Sequence, residues 1–348
     1  MKDIRDLSSG ELRDIVVSDY RGKRFRVKQI LNWLYKGGCV SFEDMRNLPK
    51  GLIKYLDEHY SCKLPEVKRV LEDPEGDAVK FGFDSGGEYL FESVILRREN
   101  KRALCVSSQL GCKLNCSFCS TGSMGFIRDL TQAEILGQVV SANTYLKEQG
   151  ERGVSSVIFM GMGEPLLNYE HVLGAVRVLM DRDCFGIGGR RITLSSAGVV
   201  PAIRRFIKEG LNCNLAISLN SWSDDIRDRL MPVNRTYPIS ELIKLAHEYH
   251  KSTGNTLTYE YVFIRGETDT DEALESLIKR FSDVPCRFNI IPLNTTESYY
   301  TNTSSRLNRF ASALVERGFN VTVRKSRGRG VKGACGQLSG EKGTAGET

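Results

Sequence analysis

The chain has 348 residues, with 49 Lys or Arg against 43 Asp or Glu and a net charge of +6. An apolar share of 41% sustains a folded core, and a charged share of 26% with 33 Gly and only 9 Pro excludes a globally disordered or collagen-like chain. The length suits one barrel-sized domain with appendages, or two to three smaller domains.

The first sixty residues read as helical. Ser9-Gly-Glu-Leu opens one helix with a capping serine, and Phe25, Ile30, Leu31, Trp33 and Leu34 give a second helix its apolar stripe. That helix begins in a basic run, Arg21, Lys23, Arg24, Arg26 and Lys28, which suits a solvated helix end or a phosphate-contacting surface. Segments Glu66–Leu71, Ala78–Phe83 and Glu88–Leu96, separated by Pro74-Glu-Gly76 and Ser85-Gly-Gly87, predict a β-meander. From about Arg102 strands and helices alternate. Strands are expected at Leu104–Ser107, Ser156–Met160, Arg191–Leu194, Leu215–Leu219, Thr258–Ile264, Phe288–Ile291 and Asn320–Arg324. Helices are expected at Thr131–Leu146, Tyr169–Asp181, Val199–Glu209, Ile239–Lys251, Asp271–Phe281 and Ser305–Gly318. Such alternation means a parallel sheet with helical crossovers. The fold class is α/β, an open or partial (βα)6-type barrel with its chemistry at the C-terminal ends of the strands. The Gly-rich tail, Ser326 to Thr348, reads as a flexible loop and a frayed end. The expected division is a helical domain over 1–62, a meander linker over 63–97, a barrel over 98–325 and the tail over 326–348.

Ten cysteines stand out beside only four histidines. Met1 to Tyr20 is charged throughout and no run of 18 apolar residues occurs, so neither a secretory signal nor a membrane span is expected. A cytoplasmic location follows as an expectation, and in a reducing compartment thiols serve as ligands, catalysts or packing rather than staples.

Gly111-Cys112-Lys-Leu-Asn-Cys116-Ser-Phe-Cys119 follows the first barrel strand. Cys112, Cys116 and Cys119 bring three thiolates to one loop. Structural zinc takes four ligands, and the loop offers no fourth. A 4Fe–4S cluster usually takes four thiolates, so three leave one iron open to a substrate or cofactor. Cys116 and Cys119 as a redox pair leave Cys112 unexplained, and a zinc knuckle needs a distant fourth ligand. Gly161-Met-Gly163-Glu164-Pro165 follows the second strand and is not a dinucleotide fingerprint, because position 166 is Leu. Ser195, Ser218 and Asn294 stand at later strand ends. Cys335 lies among Gly333, Ala334 and Gly336, small residues that let a loop move. Cys39, Cys62, Cys184, Cys213 and Cys286 have no ligand spacing and read as small core residues.

The CxxxCxxC loop resembles the radical S-adenosylmethionine (SAM) superfamily. Leu104-Cys105-Val-Ser-Ser-Gln-Leu-Gly-Cys112, Met160 to Tyr169, Leu230-Met-Pro-Val-Asn234 and Ala334-Cys335-Gly-Gln-Leu338 narrow the likeness to its RlmN/Cfr family, over nearly the whole chain. The resemblance implies RNA methylation at adenine C2, in 23S ribosomal RNA and beside the anticodon of some tRNAs. Pro165 after the Gly-Glu matches the C2 branch, and C8 methylation is the runner-up. It implies one 4Fe–4S cluster on Cys112, Cys116 and Cys119, two SAM per turnover, and SAM contacts from Gly163, Glu164, Ser195, Ser218, Leu219, Asn220 and Asn294. Cys335 would carry the methyl as S-methylcysteine, Cys105 would resolve the protein–RNA adduct through a disulfide, and Glu92 would accept a proton, with Cys105 a competitor for that role. An electron donor such as flavodoxin is implied, and a monomer is expected. Adenine C2 is electrophilic and has no lone pair to attack SAM, so a radical route with a carbon carrier suits it. Arg324, Lys325, Arg327, Arg329 and Lys332 lie beside the carrier, where RNA phosphates would come. Two departures stand out: a basic stretch before Cys335 where the family is acidic, and Asn220 where it has His. From another class, a zinc-knuckle RNA-binding protein without catalysis is the alternative.

Overall fold

Ser8, one residue ahead of the expected serine, starts the first helix. Its hydroxyl accepts the Glu11 amide at 3.1 Å while Glu11 Oε2 accepts the Ser8 amide at 2.7 Å, a reciprocal capping box. The structure is a computed structural model that describes residues 1–294 and 303–342. Its N-terminal part holds α1 (Ser9–Asp14), α2 (Phe25–Asn32) and α3 (Lys50–His59), and is closed by two short parallel strands, β1 (Lys2–Asp3) and β2 (Tyr60–Ser61). The stripe of α2 is Val27, Ile30 and Leu31; Phe25, expected inside, is 53% exposed.

The meander forms as β3 (Val67–Glu72), β4 (Ala78–Asp84) and β5 (Leu90–Arg98). It is more than a linker, because β5 pairs antiparallel with β6 (Lys101–Cys105), the first barrel strand. After a small hairpin, β7 (Gln109–Gly111) and β8 (Phe126–Asp129), with the one-turn α4 (Ser120–Ser123) in its connection, the alternation runs as expected. It comprises α5 (Gln132–Glu148), β9 (Ser156–Phe159), α6 (Tyr169–Met180), β10 (Ile192–Ser196), α7 (Val200–Lys208), β11 (Asn214–Ser218), α8 (Asp224–Leu230), α9 (Ile239–Thr253), β12 (Leu257–Phe263), α10 (Asp271–Phe281), β13 (Cys286–Pro292), α11 (Thr303–Glu316) and β14 (Asn320–Val323).

One ten-stranded sheet results, in the order β14-β13-β12-β11-β10-β9-β6-β5-β4-β3. The seven strands from β14 to β6 are mutually parallel, and the meander extends them antiparallel. Because β14 and β3 are its edges, the curved sheet is the expected partial barrel. Helices cover its outer face. On α7 the buried Val200, Ile203, Phe206 and Ile207 repeat at helical spacing. Full burial of each such side chain contributes about 1.5–3 kcal/mol. The tail departs from the frayed loop read from its glycines. Val331, Ala334 and Leu338 are buried, and Tyr89 pairs with Lys342 beside β5. Residues 343–348, the expected frayed end, lie outside the described residues.

Candidate active site

The cysteine loop is the connection of the β7–β8 hairpin, set directly after β6. Gly111 closes it: its φ is +75°, and a Cβ there would fall 1.8 Å from the Gly125 carbonyl oxygen. The Cys112 amide donates to that oxygen at 2.9 Å, and the Cys119 amide to the Cys116 carbonyl at 3.1 Å. All three thiols line one cavity of about 200 Å³ at the C-terminal ends of the strands. Burial pushes the Cys112 thiol up to about 12 and Cys116 higher still, and the neighbouring thiols add to both shifts. Buried thiolates that repel one another need a cationic partner, as an iron–sulfur cluster supplies. Among the described residues no three His, Cys, Asp or Glu donors converge as around a single ion. A cubane does not require that convergence, since each thiolate binds its own iron. The three cysteines fit it.

Across the cavity stands the Gly-Glu-Pro turn after β9. Gly163 has a φ of +93°, and a Cβ there would lie 2.4 Å from Gln109 Cβ. Gln109 ties the turn to the hairpin: its Oε1 accepts the Glu164 amide at 2.8 Å and its Nε2 donates to Asp129 at 2.7 Å. Pro165 begins a 3₁₀ turn over Pro165–Leu167 that Glu164 caps. The Glu164 carboxylate accepts the amides of Leu166 at 3.2 Å and Ala197 at 2.7 Å. Burial nevertheless raises its pKa to about 7, and these hydrogen bonds work against the rise. A buried, partly protonated carboxylate in such a cavity suits the ammonium of an amino-acid ligand, whose charge would restore its own.

The later strand ends are held by Arg227, which is fully buried on α8. Its guanidinium donates to the carbonyls of Ala197 (2.7 Å), Ser218 (3.0 Å) and Leu219 (2.9 Å) and to Asn234 Oδ1 (2.8 Å). Arg227 thus ties the rims of β10 and β11 to Asn234 of the Leu-Met-Pro-Val-Asn segment, while desolvation lowers its pKa to about 10. Ser195, Ser218, Asn220 and Asn294 line the cavity. Leu219 does not: its side chain is fully buried in the core, and its amide and carbonyl are bonded to Glu260 and Arg227. Asn220 has a left-handed φ of +56°, and its Oδ1 accepts the Val262 amide at 3.2 Å. Asn294 Nδ2 donates to the Cys335 carbonyl at 3.3 Å.

Cys105, at the end of β6, and Cys335, on the tail, line the same cavity as Cys112, Cys116 and Cys119. Burial raises the Cys105 pKa to about 12, with the Cys335 charge adding to it, and burial raises Cys335 while Arg324 pulls it back. All ten cysteines are free thiols. Glu92 is buried at 2% exposure, yet it does not line the cavity. Its carboxylate is engaged by Lys80 Nζ at 2.9 Å and by the amides of Ser339 and Gly340. The expected proton acceptor therefore faces the tail and not the substrate space.

Two cavity residues escape the motif reading. Glu260, on β12, accepts the Ser195 hydroxyl at 2.8 Å and stands 3.8 Å from Arg324. A lone carboxylate between the fully buried Tyr259 and Tyr261 was the available signal. Arg324 belongs to a run read as phosphate-contacting, but its guanidinium turns inward, 3.3 Å from Met160 Sδ. Arg327 also turns in, toward Asp77 at 3.6 Å and the Arg97 carbonyl at 2.8 Å. Lys325, Arg329 and Lys332 remain exposed, as do Arg21, Lys23, Arg24 and Lys28 beside Phe25.

Family models match in two places: the ribosomal RNA large subunit methyltransferase N-terminal domain over residues 2–62, and the radical SAM superfamily over residues 106–278. The chain is 37% identical over 341 residues to the "Probable dual-specificity RNA methyltransferase RlmN" of Clostridium acetobutylicum, covering 97% of each. It superposes on the crystal structure of a radical SAM methyltransferase from Sphaerobacter thermophilus with a TM-score of 0.91 at 37% identity, over 98% of this chain and 100% of that one. No helix among the described residues is long and apolar enough to cross a membrane. A zinc knuckle without catalysis accounts for neither match, and the chain belongs to the RlmN family of radical SAM RNA methyltransferases.

Proposed function

We propose that the chain methylates C2 of an adenine in 23S ribosomal RNA and of the adenine 3′ to the anticodon in some tRNAs. The observation that carries this reading is the meeting of Cys105, Cys335 and the three cluster cysteines in one cavity. When bound, a 4Fe–4S cluster on Cys112, Cys116 and Cys119 and two SAM per turnover supply a methyl group and a 5′-deoxyadenosyl radical. Gly163 gives the SAM amino group close approach, Glu164 accepts from it, and Ser195, Ser218, Asn220 and Asn294 offer polar contacts from the strand ends. The Cys335 thiolate takes up the methyl, and its sulfur holds the carbon against the adenine. C2 sits at the edge of a base, so the target must be splayed from its stack to reach the cavity. The S-methyl gives up one hydrogen atom to the 5′-deoxyadenosyl radical and its carbon bonds to C2. The adduct then loses its odd electron to a one-electron acceptor and its C2 proton to Cys105, already in the cavity, in preference to Glu92. Cys105 passes that proton on, and its thiolate attacks the Cys335 sulfur. The sulfur–carbon bond breaks with its electron pair going to the departing carbon, which takes up a proton and becomes the methyl group, and a Cys105–Cys335 disulfide forms. Their Cα atoms must come within about 4.4–6.8 Å for that bond. A dithiol reductant resets it, and a one-electron donor such as flavodoxin serves the cluster.

RNA binding draws on the exposed cations before and on α2 around Phe25, whose ring Arg26 covers at 4.6 Å, on Lys325, which lines the cavity, and on the exposed Arg329 and Lys332 ahead of Cys335. Action in the cytoplasm as a monomer completes the reading. Mass spectrometry of adenosines from ribosomal and transfer RNA treated with the reduced, cluster-loaded enzyme tests it. 2-Methyladenosine is expected; 8-methyladenosine alone would replace this reading with the C8 branch.

A further inference from the structure

The segment that carries Cys335 is fastened at both ends to the antiparallel meander, away from the parallel barrel. Upstream, the Gly328 amide donates to Asp77 at 3.1 Å and the Gly330 amide to Asp73 at 2.9 Å. Downstream, Ser339 and Gly340 donate their amides to one oxygen of Glu92, at 3.0 and 3.2 Å. The other oxygen of Glu92 meets Lys80 Nζ at 2.9 Å, and Lys80 reaches Glu341 at 3.4 Å. Glu341 also pairs with Arg69 on β3, and its carbonyl accepts the Leu90 amide at 3.1 Å. Two cations and two carboxylates thus alternate from β3 through β4 and β5 to the tail. Lys80 and Glu92 are each 2% exposed.

A carboxylate buried to this degree is tolerated only when paired and hydrogen-bonded, and removing one partner leaves a costly naked charge. The arrangement is therefore sharply defined in space. Its geometry is spent on the backbone of the tail, four and five residues beyond Cys335. We propose that the Glu92–Lys80 pair is the downstream latch of the carrier segment, with Glu92 a positioning residue that fixes where the Cys335 sulfur stands relative to Cys105. The chemistry of the pair is then structural and electrostatic, and no proton passes through it. The inference rests on the reading of Cys335 as the methyl carrier.

Two measurements on the full-length chain, neither needing the cluster or RNA, address the latch. One is amide hydrogen exchange at Ser339 and Gly340; the other is the rate of Cys105–Cys335 disulfide formation with diamide, mapped on peptides. Glu92→Ala removes the acceptor of two amides and should raise exchange and slow disulfide formation by at least about tenfold. The double variant Glu92→Gln with Lys80→Met removes both charges together and keeps an amide acceptor, so both readouts should stay within about threefold of the parent. Methylation by the loaded double variant should persist, because no carboxylate is needed as a base. Should Glu92→Ala not fold, Glu341→Ala, which removes the partly exposed carboxylate between Lys80 and Arg69, should shift both readouts in the same direction. Parental exchange and disulfide rates in Glu92→Ala, or in Glu341→Ala where it stands in, would overturn the latch. So would a double variant whose tail is parental on both measurements but which no longer methylates, since Glu92 would then be the base. Absence of any methyladenosine from the parent enzyme would instead count against the function, and leaves both tail measurements readable.

Discussion

Glu260 faces Arg324 at 3.8 Å inside the cavity, and the same carboxylate receives the Ser195 hydroxyl at 2.8 Å. A half-buried guanidinium beside a buried carboxylate, the buried Cys105 and the half-buried Cys335 gives the site a cation to balance them. Arg324 opposes the rise in the pKa of both Cys105 and Cys335.

Arg324→Met should therefore slow alkylation of Cys335 by iodoacetamide at pH 8. Loss of the cation raises that thiol further, and each unit lowers the thiolate fraction about tenfold. Arg324→Lys should recover part of the rate. Site-resolved peptide mass spectrometry reads both, and an unchanged rate in Arg324→Met would remove the thiolate role.

Cys105→Ala should stop product release without preventing attachment. RNA should remain covalently joined to Cys335, visible as a slow band that survives denaturing electrophoresis and is lost in the further variant Cys335→Ala. Normal turnover by Cys105→Ala would mean that another group resolves the adduct.

Glu164 makes a pH-dependent prediction for the chain before metal loading. Its carboxyl ionises near 7 when folded, against 4.5 ordinarily. The folded state thus holds the proton more tightly, so the contribution is full below about 4.5 and is lost as pH rises to about 7. The loss totals about 3 kcal/mol, at 1.36 kcal/mol per unit. Glu164→Gln has no such loss. Urea midpoints at pH 5 and pH 8 should show the variant gaining on the parent at the higher pH, and equal differences at both would count against the raised pKa.

Anaerobic purification should yield about four irons and four sulfides per chain. Cys119→Ser should lose most of both while keeping the helical circular dichroism of the parent. One zinc with no sulfide would contradict the cluster.

The parallel strands and their helices were legible because each is bounded by turn residues and repeats an apolar pattern of period 2 or 3.6. The cysteine triplet and Gly163-Glu164-Pro165 were legible because spacing alone constrains them. What escaped depends on contacts made far along the chain. The glycines around Cys335 read as slack, yet Asp73, Asp77 and Glu92 hold their amides. Glu92 reads as a proton acceptor until Lys80 and the amides of Ser339 and Gly340 are placed beside it. Phe25 was assigned to an apolar stripe that Val27 fills, and Arg324 was grouped with surface cations by adjacency although the end of β14 turns it inward. Nothing in local periodicity distinguishes these outcomes, since each is decided by a partner from another element.

The hydrogen bond between Glu92 and Ser339 spans 247 residues, and that between Asp73 and Gly330 spans 257. During synthesis the meander emerges early and waits for those further residues, roughly 10–50 s at ordinary elongation rates of 5–20 residues per second. The Cys335 thiol is seated only after every strand of the ten-stranded sheet has been made. A ribosome that stops between the end of β14 and Cys335 releases a chain with its sheet strands and Cys112, Cys116 and Cys119 present but Cys335 missing. Synthesis and seating of the Cys335 segment thereby become the step that completes the cavity wall.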